Sequence, residues 1–148
     1  MYTGIVQGLE QVLEVRQGDG FSTIIVSNTN NFFQDVFIGA SVAINGVCLT
    51  ATHIDSDQNT VHFDISNLTN QLTTLKFLEA GTEINIERSA KVGAENGGHN
   101  LYGHIEGTAK VVNLVRTGET LHFDIKIPEG NIKYFFLTGF IGLNGCSL

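Results

Sequence analysis

The chain has few of the residues that would suggest several common functions. It has two cysteines in 148 residues, Cys48 and Cys146, too few for a disulfide framework or a Cys/His cluster at zinc-ligand spacing. No metal site is expected. Eight Lys and Arg stand against 15 Asp and Glu, for a formal net charge of −7 at pH 7. Neutralising nucleic-acid phosphates takes basic clusters, so no nucleic-acid partner is expected, and a highly charged anionic ligand is disfavoured. No apolar run approaches the roughly 20 residues of a membrane span. Met1-Tyr2-Thr3-Gly4 leads straight into strand-like sequence without the pattern of a signal peptide. Cytoplasmic location away from membranes is the expectation. There is one proline but 17 glycines, which implies many tight turns. Hydrophobic residues at 42% and charged residues at 16% describe a globular chain.

The most informative feature is an internal repeat. Gly4-Ile5-Val6-Gln7-Gly8 aligns with Gly103-His104-Ile105-Glu106-Gly107. At the same separation, Val42-Ala43-Ile44-Asn45-Gly46-Val47-Cys48-Leu49 aligns with Ile141-Gly142-Leu143-Asn144-Gly145-Cys146-Ser147-Leu148. Two matches at one separation indicate a duplicated module. Residues 1–89 form the expected first module, 90–99 a Gly-rich linker, and 100–148 the N-terminal half of a second module.

Within the first module, period-two alternation and β-branched residues dominate. Strands are expected at Ile5-Val6 with Val12–Val15, at Ser22–Val26, Ser41–Ile44, Leu49–Ile54, Val61–Ile65 and Glu83–Glu87. Asp55–Asn59 reads as a hairpin turn. A short helix is expected through Phe32–Val36, and a second over Asn67–Phe77, where Leu68, Leu72 and Leu75 have helical spacing. The second copy should restart with strands at Ile105–Val115 and Leu121–Ile127, and Pro128 should open a helix. The fold class is therefore all-β: tandem six-stranded Greek-key barrels, the second incomplete.

A neutral ligand with a flat heterocycle and a polyhydroxyl chain needs hydroxyl and amide partners beside an apolar slot. Ser41, Asn45, Cys48 and Thr50 surround one strand–turn–strand and supply such groups. Each also has a plainer reading: Ser41 as a surface serine, Thr50 as a β-favouring residue, Cys48 as a small buried hydrophobe. His99 and His104 lie five apart in a Gly-rich stretch, which by itself is a weak signal.

Met1–Val6, Ser41–Thr50, Gly97-Gly98-His99 with Gly103-His104-Ile105, and Gly139–Leu148 together resemble the riboflavin synthase family, in order and at its spacings. The family also holds ligand-binding paralogues, the lumazine protein and the yellow fluorescent protein of luminous bacteria. The resemblance implies two barrels per chain. It also implies a ligand that is 6,7-dimethyl-8-ribityllumazine, riboflavin or FMN, with no separate cofactor required. For the enzyme it implies a transferase that dismutates two lumazine molecules, working as a homotrimer with sites between barrels of different subunits. For a fluorescent antenna protein it implies a possible monomer and luciferase as partner.

By resemblance, Ser41, Cys48 and His104 are the catalytic candidates. Thr50, Asp64, Ile65, Ser66 and Thr69 would position ring and ribityl chain, and Gly4, Ile5, Val6, Gly103 and Ser147 would also contact ligand. Four positions depart from the family pattern. Leu68 stands where a Glu is usual, Thr138 replaces a lysine, Asn144 an aspartate, and Tyr2 a phenylalanine. The first three favour a binding protein, whereas the retained Cys48 and His104 favour the enzyme.

Overall fold

The structure is a computed structural model and describes residues 1–148. The chain forms two compact units, Met1–Glu106 with Phe140–Leu148, and Gly107–Gly139. In the first unit six strands, β1 (Gly8–Gln17), β2 (Phe21–Ser27), β3 (Ser41–Ile44), β4 (Val47–Asp55), β5 (Thr60–Ser66) and β6 (Glu83–Arg88), close into a barrel. Their order is β1-β2-β5-β4-β3-β6, a Greek-key arrangement, and every neighbouring pair is antiparallel. β1 closes it by pairing with two neighbours. Gly8–Gln11 lie against β6 and Val12–Gln17 against β2, and an irregularity at Val12/Glu14 turns the strand from one to the other. The all-β expectation therefore holds.

Alternation decides which side chains reach the core. Val42, Ile44, Leu49, Ala51, Phe63 and Ile65 point inward and join Val12, Ile24, Val26, Ile84 and Ile86. Burying each larger side chain contributes about 1.5–3 kcal/mol. The alternate residues of β3, β4 and β5, among them Ser41, Cys48, Thr50, Asp64 and Ser66, lie on the outer face. A strand face half committed to the core thus leaves a row of polar groups outside.

Two buried carboxylates fix what the ladders do not. Glu10 accepts from Ser27 Oγ at 2.6 Å, Thr29 Oγ1 at 2.9 Å and Thr29 N at 3.1 Å, anchoring the loop after β2. Glu87, 3% exposed, accepts from Thr3 N at 2.5 Å, Thr3 Oγ1 at 2.7 Å and Gly4 N at 3.1 Å. The N-terminal segment is held by that side chain, by Leu101, with which Tyr2 exchanges both backbone hydrogen bonds at 2.7 and 3.0 Å, and by the Ala90 and His99 N–H groups, which donate to the Met1 and Thr3 carbonyls at 2.9 Å.

Several local expectations need correction. Ile5-Val6 do not join a strand; the ladder begins at Gly8, because Thr3 and Gly4 are bonded to Glu87 instead. Phe32–Val36 form turns, not a helix. The Asn28 side chain takes the Phe33 N–H at 2.9 Å, Asn31 adopts a positive φ of 55°, and Arg88 holds the Phe32 carbonyl at 3.2 Å. The Asn67–Phe77 helix breaks in two at Thr73. α1 (Asn67–Leu72) ends there, and a 3-10 turn spans Thr74–Phe77, because Thr73 is extended and caps Leu75 N with its hydroxyl. Leu75 is buried, but Leu68 is 65% exposed and is no core residue.

The second unit is a hairpin of β7 (Lys110–Thr117) and β8 (Thr120–Lys126), followed by a 3-10 turn at Glu129–Tyr134. Pro128 precedes that turn as expected, though the turn is not α-helical. β7 starts at Lys110, not at Ile105, whose side chain packs on the first barrel's core. The last strands, β9 (Gly142–Leu143) and β10 (Cys146–Ser147), pair antiparallel in the first unit. No helix is long and apolar enough to cross a membrane.

Glu87→Gln should lower stability by about 1–3 kcal/mol, since an amide must turn its NH2 toward one of three donors. Glu83→Gln, exposed on the same strand, should stay within about 0.5 kcal/mol. Urea unfolding midpoints of the two variants make the comparison.

Candidate functional site

The β4–β5 ladder runs from Asp55/Thr60 only as far as Ala51/Phe63. Beyond it the first half of β4 stays with β3, pairing Ser41 with Thr50 and Ala43 with Cys48. The last residues of β5 stay with β2, pairing Thr23 with Asp64 and Phe21 with Ser66. The ladder therefore leaves a gap, with Cys48 and Thr50 on one lip and Asp64 and Ser66 on the other, which we take as the candidate cleft. Residues that alternation sent outward line both lips, and Leu49 and Ile65 form the hydrophobic layer beneath.

On the β5 lip, Asp64 accepts from Thr23 Oγ1 at 2.6 Å. Ser66 caps α1, taking the Thr69 N–H at 3.1 Å, and the two hydroxyl oxygens are 3.0 Å apart. The Ile65 side chain is buried, leaving only its backbone to a ligand. On the β4 lip, Thr50 is exposed and Cys48 half-buried, while Ser41 uses its carbonyl to accept from Ser89 Oγ at 2.9 Å.

The second copy supplies one wall. Cys48 N–H donates to the Gly103 carbonyl at 2.9 Å, filling the place that a β5 partner leaves open. Gly103 has a φ of 72°, and a Cβ on it would lie 2.7 Å from Cys48 Cβ. The mirror arrangement exists at the repeat-related positions: Ser147 N–H donates to the Gly4 carbonyl at 2.8 Å, and a Cβ on Gly4 would lie 2.5 Å from Ser147 Cβ. Each copy thus lays its glycine segment across the other copy's Cys48 or Ser147 position.

The expected site residues therefore fall into two groups. Ser41, Cys48, Thr50, Asp64, Ser66, Thr69 and Gly103 gather around the first cleft, and Gly4 and Ser147 around the second contact. Ile5 is exposed and Val6 half-buried beyond Gly4. His104 is exposed and makes no hydrogen bond to Cys48 or Ser41. His99 is the engaged imidazole: its Nδ1 lies 2.5 Å from Ser147 Oγ and its ring stacks on Phe140 at 4.2 Å. Tyr2 is a further participant, its hydroxyl donating to Cys48 Sγ at 3.1 Å. Neither composition nor the repeat hinted at these partnerships, since the repeat marks Cys48 and Ser147 as equivalent positions without saying what contacts them.

A separate surface groove of about 370 Å³ lies toward the other end of β4 and β5, lined by Glu14, Arg16, Ile25, His53, Thr60 and His62 among others. It contains none of the expected site residues, and the chemistry favours the cleft. Arg16 is already doubly bonded to Glu14 at 2.7 and 2.8 Å, and burial together with His53 and Arg16 pushes the His62 imidazole below its usual range. The groove's one arginine is thus already paired.

Gly103→Ala should destabilise the chain by more than about 1 kcal/mol, since both the positive φ and the Cys48 contact oppose a side chain. Gly107→Ala, where a Cβ meets nothing within 4 Å, is the near-neutral control. Thermal unfolding of both separates local crowding from loss of glycine as such.

Comparison with known proteins identifies the family. Residues 3–89 match the family model described as the lumazine binding domain. The riboflavin synthase of Escherichia coli (strain K12) is 38% identical over 149 residues, spanning all of this chain and 69% of its own length. Solved structures of LumP are 31% identical to the chain. LumP with 6,7-dimethyl-8-(1'-D-ribityl) lumazine has a TM-score of 0.84, covering 100% of this chain and 78% of its own. LumP with riboflavin has a TM-score of 0.87, covering 99% and 78%. These matches, with the closed six-stranded barrel, show that the chain belongs to the riboflavin synthase family of lumazine-binding proteins.

Proposed function

We propose that the β4–β5 cleft holds 6,7-dimethyl-8-ribityllumazine or riboflavin. The observation that carries this reading is the premature end of the β4–β5 ladder. It leaves hydroxyls, a carboxylate and strand backbone facing a gap floored by apolar residues and walled by Gly103. A flat heterocycle with a neutral polyhydroxyl tail fits that chemistry. FMN fits it less well, because its phosphate adds negative charge to a chain of net charge −7, and neither lip of the cleft carries a lysine or arginine among its named residues. LumP, which shares the fold, has been crystallised with the lumazine, with riboflavin and with flavin mononucleotide.

The proposed activity is dismutation of two lumazine molecules, in which a four-carbon unit passes from one to the other. The products are riboflavin and a ribitylamino-pyrimidinedione. Holding two identical substrates face to face replaces a costly encounter, and the substrate ring itself serves as electron sink. His104 or a substrate-bound water takes the proton from the ring methyl group. Cys48 or Ser41 serves as nucleophile or hydrogen-bond partner as the adduct forms. Thr50, Asp64 and Thr69, with the backbone at Ile65 and Ser66, position ring and ribityl chain. The enzyme reading carries a homotrimer with it.

One observation favours a second reading, a fluorescent binding protein without turnover. Leu68, where the family pattern has a Glu, projects into solvent from α1 beside Ser66 and Thr69. An apolar, exposed side chain there does no acid–base work. Such a protein would serve as an antenna, with luciferase as partner.

Incubating the protein with 6,7-dimethyl-8-ribityllumazine and following absorbance and fluorescence separates the two. The enzyme reading expects riboflavin to accumulate over many turnovers, and Cys48→Ala to cut the rate by at least tenfold. A bright, stable lumazine complex with no riboflavin would leave the binding protein, and no complex at all would overturn the site. In the same titration, riboflavin should bind more tightly than FMN, and the gap should narrow as salt screens the repulsion.

A further inference from the structure

The proposed chemistry leaves one buried titratable group without a task. Tyr2 is 1% exposed, yet its phenol reaches no backbone carbonyl and donates to the Cys48 sulphur. A buried tyrosine hydroxyl needs a partner, but the ring alone would fill the space. The duplicated copy offers an internal comparison. The residue equivalent to Tyr2 is Leu101, and the residue equivalent to Cys48 is Ser147, whose hydroxyl is engaged by His99 instead. In the copy that carries a thiol, the phenol faces it; in the copy that carries a serine, the phenol is absent.

We propose that Tyr2 is a positioning residue for Cys48, its hydroxyl holding the thiol in one orientation at the lip of the cleft and favouring its anionic form. The proposal rests on the cleft being the ligand site and names how that site's sulphur is prepared. Three features support it beyond the 3.1 Å contact. Tyr2 has little freedom to turn away, since its backbone is paired with Leu101 and the next two residues are bonded to Glu87. Gly103 closes on Cys48 from the second copy, so the sulphur's backbone is held as well. Burial first, then the hydrogen bond to Cys48 and the nearby charges of Cys48 and Glu87, push the phenol's deprotonation far above its usual range, while Ser89 opposes them. The phenol therefore stays a donor throughout the pH range in which thiols react, and a donor on sulphur favours the thiolate.

The test is the pH profile of Cys48 alkylation by iodoacetamide in the full chain carrying Cys146→Ser, which removes the other thiol. Tyr2→Phe keeps the ring and removes only the hydroxyl, and Tyr2→Leu copies Leu101. If the hydroxyl prepares the thiol, both variants should move the midpoint of alkylation upward by about one to two pH units, the size expected for losing a donor to a charged acceptor. An unchanged midpoint in Tyr2→Phe overturns the proposal. So does a shift confined to Tyr2→Leu, which would assign the effect to lost packing. Riboflavin binding by the unsubstituted protein, followed by fluorescence, is read separately. Its absence would count against the cleft as ligand site without altering the alkylation result.

Discussion

The structure depends on one carboxylate set where water does not reach. Glu87 lies near the end of β6, and its two oxygens collect three donors from Thr3 and Gly4. An ionised side chain in such a place costs heavily unless it is fully hydrogen-bonded. Once it is bonded, the N-terminal segment has a single position. That position puts Tyr2 under Cys48 and aims the Gly4 carbonyl at Ser147. Glu87 thus joins β6 to the N-terminal segment that reaches both Cys48 and Ser147.

The exchange of glycine segments explains why the two copies are interlocked. The Cys48 N–H donates to the Gly103 carbonyl and the Ser147 N–H to the Gly4 carbonyl, so each copy takes its acceptor from the other copy's glycine. Closeness is enforced on both sides by the absence of a Cβ. The turns Asn45-Gly46 and Asn144-Gly145 also touch back to back, with Asn85 bonded both to Asn45 and to the Asn144 carbonyl. Shared backbone makes the copies alike in geometry; their side chains make them different. One position carries a thiol beneath a phenol, the other a hydroxyl beside an imidazole, so the duplicated frame presents two chemistries.

Charge supports the proposed preference for a neutral ligand. Arg16 is occupied by Glu14, and Arg88 is committed to Asp35 and the Phe32 carbonyl. The arginine beside Asp35 holds its carboxyl below the usual range, which marks that pair as a tie between β6 and the turns after β2. With these cations used internally and an excess of acid overall, hydroxyls and backbone dominate the cleft. Such a surface suits a neutral polyol and a heterocycle better than a phosphate.

Alternation in Ser41–Ile44, Val47–Asp55 and Thr60–Ser66 was enough to read the strands, their inward faces and the polar outward row, because a period of two leaves little choice of face. The repeat was equally legible, and with it the pairing of Cys48 with Ser147. Local pattern misled where a side chain replaced a backbone bond: Asn28 in the Phe32–Val36 turns, Thr73 in the broken helix, Glu87 in the segment before β1. Hydrophobic periodicity does not register these competitions: Asn28 and Thr73 act on groups two to five residues away through polar caps, and Glu87 acts from more than eighty positions away. The sequence by itself determined the all-β barrel, the duplication and the candidate polar residues. Only the tertiary structure decided that the β4–β5 ladder stops short, that Gly103 completes the Cys48 lip, and that Tyr2 and His99 are engaged while His104 is not. Those are matters of where separate strands diverge and which buried group finds which partner, and they are settled by packing across the whole barrel.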